Sequence, residues 1–196
     1  MLTVDPIELG NPKAHHYLLG AVGPRPICFA STIDSAGNRN LAPFSFFNVF
    51  SSNPPVAIFS PSRSGRTGKQ KDTYNNIKEV PEVVINLVNH SMVEQMSLSS
   101  SPYQSNVDEF LKSGLTPLRS ESVRPSRVKE SPVQMECDVF NVMELGENGG
   151  AGNLIMCKIK KIHIQENVLD ANNMIDQLKI DLVSRMGGNW YCRSNK

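Results

Sequence analysis

The sequence predicts a mainly β protein, an antiparallel β-barrel with peripheral helices. Residues 133–142 and 155–164 are long alternating segments, each with a phase shift partway along. Several short apolar segments precede them between residues 25 and 88. Helical periodicity is scarce, and residues 171–182 are its best case. In the first long segment the apolar positions run 133, 135, 137, 139 and then shift to 140 and 142. In the second they run 155, 157, 159 and then shift to 162 and 164. An extra residue inside an alternating strand marks a β-bulge. Two long bulged strands point to a sheet curling toward closure, as a small barrel requires.

The elements follow in chain order. Residues 1–24 read as irregular, with a proline or glycine every few positions and His15-His16-Tyr17 in the middle. Residues 25–33 (RPICFASTI) read as a strand entering a turn at 34–38, where Asp, Ser, Gly and Asn cluster. Residues 41–50 and 55–60 follow as apolar segments around a second turn at 51–54, and the strands flanking 34–38 are close enough to form a hairpin. Residues 83–88 are nearly all apolar and β-rich, as expected of a strand buried on both faces. Short helices are expected over 91–99 and 107–113, then a surface excursion over 114–132, which holds several prolines and charges. In 171–182, Met174, Ile175, Leu178 and Leu182 recur at helical spacing. The tail, 184–196, carries Trp190-Tyr191 after Gly187-Gly188.

A length of 196 residues suits one domain over 1–196 with a core of its own. Apolar and charged contents of 39% and 20% fit an ordinary soluble protein. A net charge of +1 argues against an electrostatically driven nucleic-acid binder. The apolar runs are far too short to span a bilayer, and the start, MLTVDPIEL, lacks the basic region of a signal peptide. Cys28, Cys137, Cys157 and Cys192 form no C-x-x-C pair, so structural zinc is not expected and a reducing, cytoplasmic setting is. The four histidines have no metal-ligand spacing, and no paired carboxylates stand out.

The chemistry concentrates in residues 40–76. Arg63, Arg66, Lys69 and Lys71 fall within nine residues, interleaved with Ser60, Ser62, Ser64, Thr67 and Thr73. Charged forks and hydroxyl donors together make a phosphate clamp. On composition alone, a solvated loop with ordinary lysines is the simpler reading. A P-loop is excluded, because Gly65 and Gly68 have two residues between them and Gln70 follows Lys69. A Rossmann fingerprint is excluded too, since GENGGAG at 146–152 precedes a strand rather than a helix. Upstream, Pro43-Phe44-Ser45-Phe46-Phe47-Asn48 sets three phenylalanines in irregular backbone. Such phenylalanines are by default core. Pro43 and Ser45 interrupt the strand and leave backbone N–H groups for the rim of a flat ring.

RPICFAST at 25–32, a D-x-x-G-x-x-N turn (Asp34, Gly37, Asn40), LAPFSFFN at 41–48, NPPVAIF at 53–59 and KDTYNNI at 71–77 resemble the flavin reductase-like, FMN-binding split-barrel family. This family includes flavoredoxins and the reductase components of two-component monooxygenases. EVVINLV at 82–88, GNLIMCKIKKIHI at 152–164 and RMGGNWY at 185–191 agree, so the motifs cover a core of about 24–191. The resemblance implies a six-stranded antiparallel Greek-key barrel, usually a homodimer, with FMN near the subunit interface. By position it implies that Ser31 and Thr32 lie along the cofactor. Pro43, Ser45, Phe46, Phe47 and Asn48 would contact the isoalloxazine and ribityl. Ser60, Arg63, Lys71, Asp72 and Thr73 would surround the phosphate, and Arg185 and Tyr191 would approach the ring from the tail. Asn153 stands where many members carry a histidine, so no histidine role is implied there.

The implied activity is hydride transfer from NAD(P)H to flavin, with electrons passed on to an acceptor such as a monooxygenase. The alternative is a flavoredoxin-like FMN electron carrier with no nicotinamide site. The flavin carries the chemistry in both, so the absence of a catalytic dyad is expected.

Overall fold

The computed structural model describes residues 1–194; the last two residues of the tail read over 184–196 lie outside them. Strands β1 (Cys28–Ile33) and β2 (Arg39–Phe44) form the expected hairpin. Its turn closes because Asp34 accepts from the Asn38 backbone N–H and side-chain amide at 2.8 and 2.7 Å. Gly37 takes φ +93° there, a conformation that L side chains rarely adopt.

The remaining strands of the sheet are β3 (Phe47–Ser52), β4 (Pro55–Phe59), β5 (Glu82–Asn86), β8 (Val133–Glu144) and β9 (Asn153–Ile164). Their order is β2-β1-β5-β8-β9-β4-β3, with every pairing antiparallel. This is the expected mainly β class, with seven strands in the sheet instead of six. The extra strand comes from residues 41–50, which do not run straight. They break at Ser45-Phe46 into β2 and β3, which lie at opposite edges of the sheet. A link of two residues can join the edges only if the sheet has curled round on itself.

The bulges supply that curl. The β8/β9 register shifts between Glu136 and Cys137 and again between Val139 and Asn141, the second at the phase break read from the sequence. Strand β1 is buried on both faces. Cys28 and Ala30 point into the barrel with Phe59, Ile85, Cys137, Ile155 and Cys157. Phe29 and Leu41 face a second cluster with Met96 and Phe110, under α4 (Val93–Ser99) and α5 (Glu109–Ser113). The barrel thiols are inert: burial pushes all three up, Cys137 to about 12.

Two readings need correction. Residues 1–24 are not irregular, because α1 (Pro6–Leu9) and α2 (Asn11–Ala21) form there. Neither helix contains a buried residue, so there was no apolar stripe to read. Residues 171–182 are not one helix, and only α6 (Gln177–Ile180) is helical. Asp176 caps its start, Asp181 ends it at φ +51°, and Met174 and Leu178 are exposed. Residues 114–132 contain a ribbon of β6 (Pro117–Leu118) and β7 (Arg127–Val128). After α6, β10 (Val183–Arg185) pairs with β11 (Tyr191–Arg193).

Candidate functional site

The break at Ser45-Phe46 forms the floor of a cleft of about 640 Å³. Pro43, Phe44 and Phe46 make an apolar shelf along it. The segment after β4 makes the opposite wall with Ser60, Ser62, Arg63, Ser64, Arg66 and Lys71. Strand β4 starts that wall, since Ser60 N donates to Phe46 O at 2.8 Å. Helix α3 (Asp72–Glu79) ends it, with Lys71 at its N-cap position.

The basic wall is held from behind. Asn153, fully buried, donates to Pro61 O at 2.7 Å and to Gln70 Oε1 at 2.8 Å, clipping the two ends of the loop together. Arg63 Nη2 pairs with Glu144 at 2.7 Å, and the Tyr74 hydroxyl donates to the same carboxylate at 2.6 Å. Those two partners, Tyr74 foremost, hold the Glu144 carboxyl below its usual range.

Arg63 also exchanges backbone bonds with the turn after β8, its N–H reaching Ala151 O at 2.8 Å and its carbonyl accepting from Gly150 at 3.0 Å. Gly149 is needed for that approach, because a Cβ there would stand 2.9 Å from Ser64 O and 3.3 Å from Gly65 Cα. Gly149→Ala is expected to destabilise the protein by about 1–3 kcal/mol by prising the wall from the turn. A lower denaturation midpoint checks this; an unchanged one means that the loop yields freely.

Two buried polar atoms of the wall, Ser60 Oγ and Arg63 Nε, have no hydrogen-bond partner among the described residues. Buried polar atoms are ordinarily satisfied, and these two belong to residues that line the cleft. A hydroxyl and a guanidinium N–H suit an anionic oxygen ligand. The donor set therefore fits a phosphate, and the shelf beside it fits a flat ring.

Of the residues named from the sequence, the structure brings Pro43, Ser45, Phe46, Ser60, Arg63 and Lys71 onto this one cleft. Arg185 and Tyr191 line an adjoining cavity of about 180 Å³ that shares Pro43, Phe44 and Ser45. The Arg185 guanidinium lies 4.7 Å from the Tyr191 ring centroid. The others stand elsewhere. Thr32 and Thr73 are buried, their hydroxyl oxygens accepting from Asn40 Nδ2 at 3.2 and 2.9 Å. That network ties α3 to the β1–β2 hairpin. Ser31 is buried, and its hydroxyl has no hydrogen-bond partner among the described residues. Asp72 accepts from Ser105 Oγ, Phe47 packs on the barrel core, and Asn48 is exposed.

Sequence reasoning missed the third wall. Helix α2 lays Asn11, Pro12, His15, His16 and Leu19 along the cleft, and His15 meets Phe46 edge-on at 6.3 Å. The Asn11 side chain donates to Gly149 O at 2.8 Å, joining this helix to the turn that braces the basic wall. The only signals were the Asp5 N-cap and the prolines at the starts of α1 and α2.

Comparisons with known proteins bear on the family and the fold. The sequence profile of the flavin reductase like domain matches residues 21–179. An uncharacterized protein of Aquifex aeolicus is 35% identical over 95% of this chain and 93% of its own. Nitrilotriacetate monooxygenase component B from Bacillus cereus superposes with a TM-score of 0.92 at 29% identity, covering 98% of this chain and 95% of that one. A Shewanella frigidimarina protein assigned as a flavin reductase with a split barrel domain superposes at 0.82 with 26% identity, over 97% and 92%.

Proposed function

From the premise that this chain belongs to the flavin reductase-like domain family, we propose that it is an FMN-dependent oxidoreductase that takes hydride from NAD(P)H and passes the electrons to a separate acceptor. The observation that carries the reading is one cleft holding both an apolar shelf and a basic wall with two unpartnered buried donors. When bound, the flavin supplies the hydride acceptor, and the protein supplies position and polarity.

In this reading Ser60, Arg63 and Lys71 hold the phosphate. Arg63 is pre-oriented by Glu144, so little side-chain freedom is lost on binding. Pro43 and Phe46 take the ring against their apolar surfaces, and Ser45 meets its polar edge. Helix α2 borders the cleft and narrows the approach to the ring. Arg185 and Tyr191 border the adjoining cavity, which has room for a second small molecule beside the ring. No side chain is asked to move a proton, because hydride transfer to a flavin needs none.

The acceptor we favour is a monooxygenase, by analogy with the Bacillus cereus component B. We further propose a homodimer in the cytoplasm. Phe50, Phe140 and Met143, large apolar side chains exposed on the sheet, support the dimer. No helix among the described residues is long and apolar enough to cross a membrane.

The test is anaerobic mixing of the flavin-loaded protein with NADH and, separately, NADPH. Loss of the flavin absorbance with one or both is the expected result. Persistent colour with both donors, together with bleaching by dithionite, overturns the reductase reading and leaves an FMN electron carrier.

A further inference from the structure

Arg25 carries a charge the proposed function has not used. It is 5% exposed, and every partner of its guanidinium is neutral. Nη1 donates to Leu19 O at 2.8 Å and to Val22 O, and Nη2 donates to Met186 O at 3.0 Å. Nε donates to Ser45 Oγ at 3.3 Å. A buried cation ordinarily has an anionic partner, because desolvating a lone charge is costly.

The position next to it makes matters worse. Arg25 and Arg185 exchange backbone hydrogen bonds in both directions, at 2.8 Å each. Residues paired in that way stand directly opposite, with their side chains on the same face. Two like charges so placed are destabilising. No carboxylate among the described residues forms an ion pair with either guanidinium: the nine pairs present involve other residues. Burial first, and then the Arg185 charge, pull Arg25 below the usual guanidinium value.

Arg25 meets Ser45 directly, whereas Arg185, whose Nη1 donates to Trp190 O at 3.3 Å, shares only a cavity with it. Because Ser45 Oγ accepts from Arg25, its own proton is left to donate. Ser45 lines the main cleft as well, on the floor opposite the basic wall.

We propose that Arg25 and Arg185 form an electrostatic pair whose counter-charge is the negative charge gained by a bound flavin ring on reduction. The inference rests on the FMN reading above. Hydride carries two electrons and one proton, so the C–H bond broken on the nicotinamide leaves that ring cationic and the flavin one unit more negative. Arg25, through the Ser45 hydroxyl, and Arg185, from the adjoining cavity, hold the reduced form more tightly than the oxidised one. Preorganised charge of this kind costs no reorganisation when the electrons arrive. The repulsion between the two guanidiniums is the strain relieved as they do.

The experiment compares wild type with Arg25→Gln, Arg25→Lys and Arg185→Gln. For each, the dissociation constants of oxidised and of dithionite-reduced FMN are measured anaerobically, along with the midpoint potential against a reference dye. Each glutamine variant is expected to lose about tenfold more affinity for reduced than for oxidised FMN, a fall of about 30 mV for a two-electron couple. Arg25→Lys keeps the charge and is expected to keep most of the preference. Equal losses for both oxidation states, with the potential unmoved, overturn the inference and make Arg25 a strut between α2 and Met186. Arg185→Gln, at a less buried position, decides the matter if Arg25→Gln does not fold. Wild type that binds no flavin removes the FMN reading and this inference together; wild type that binds it with variants unchanged removes this inference alone.

Discussion

Replacing Arg63 and Lys71 together by alanine is expected to weaken FMN binding by roughly 10²- to 10⁴-fold while leaving riboflavin within a few-fold of wild type. A charge-assisted hydrogen bond contributes about 1.5–3 kcal/mol, so two of them to one phosphate account for that range. The contrast between ligands is the sharper part, because riboflavin has the same ring and ribityl chain and only the phosphate is missing. Loss of the Arg63–Glu144 pair does not confuse the result. Glu144 is partly exposed at 42%, and ion pairs open to solvent contribute about 0–1 kcal/mol. Titration of each flavin against both proteins, followed by quenching of flavin fluorescence, reads the effect. An equal loss for the two ligands would move the phosphate away from this wall and leave Ser60 Oγ and Arg63 Nε without an explanation.

The same wall shows why some of the site was legible in the sequence and some was not. Residues 60–71 advertise themselves through composition, since arginines and hydroxyls cluster on a loop wherever the loop ends up. The shelf was legible because Pro43 and Ser45 break the alternation, and the chain turns from β2 into β3 there. What could not be read was that these edges meet, because closure is a property of the whole sheet. Only the phase breaks in β8 and β9 hinted at it. Thr73 shows what composition leaves out. A hydroxyl in a phosphate-like loop gives no sign of its buried neighbours, and here Thr73 Oγ1 accepts from Asn40. Helix α2 was unreadable for a plainer reason: with no buried residue it presents no periodic apolar face. Its position is set at its ends, by Asn11 on Gly149 O and by Arg25 on the carbonyls of Leu19 and Val22.

The break between β2 and β3 also explains how one small fold keeps a cleft open. A sheet that closed by hydrogen bonding would bury the inner faces of its edge strands in a continuous wall. Here the edges are joined covalently through Ser45-Phe46, and polar groups at the seam bond outside the sheet ladder, Phe46 O with Ser60 N and Ser45 Oγ with Arg25. Helix α2, the basic wall and the tail each approach the seam from a different side. The arginine pair belongs to this geometry: Arg25 precedes β1, Arg185 ends β10, and the bridge between them fastens the tail beside the cleft.

Glu136→Leu is expected to destabilise the protein by about 3–5 kcal/mol, the cost of breaking a buried ion pair by removing one partner. Glu136 is fully buried on β8, and its carboxylate organises the excursion at 114–132. It accepts from the backbone N–H of Glu121 at 2.9 Å and of Ser122 at 2.6 Å. His163 Nε2 lies 2.8 Å away, and Arg127 Nε 3.8 Å away. Leucine fills the space but strands two backbone donors and leaves Arg127 and His163 facing an apolar group. Acid should act on the same point. Burial pushes the Glu136 carboxyl up, but the Glu121 and Ser122 N–H groups and His163 together outweigh it, and the group lies below its usual range. A carboxyl depressed in the folded state contributes stability that is fully present above its unfolded value of about 4.3 and lost as pH falls through the folded one. Wild type should therefore weaken as the pH drops below about 4.3, and Glu136→Leu should lose that part of the dependence. Denaturant midpoints across that range measure both effects. A loss under about 1 kcal/mol with the acid dependence intact would mean that the excursion is held by the burial of Val128 and the β6–β7 ribbon instead.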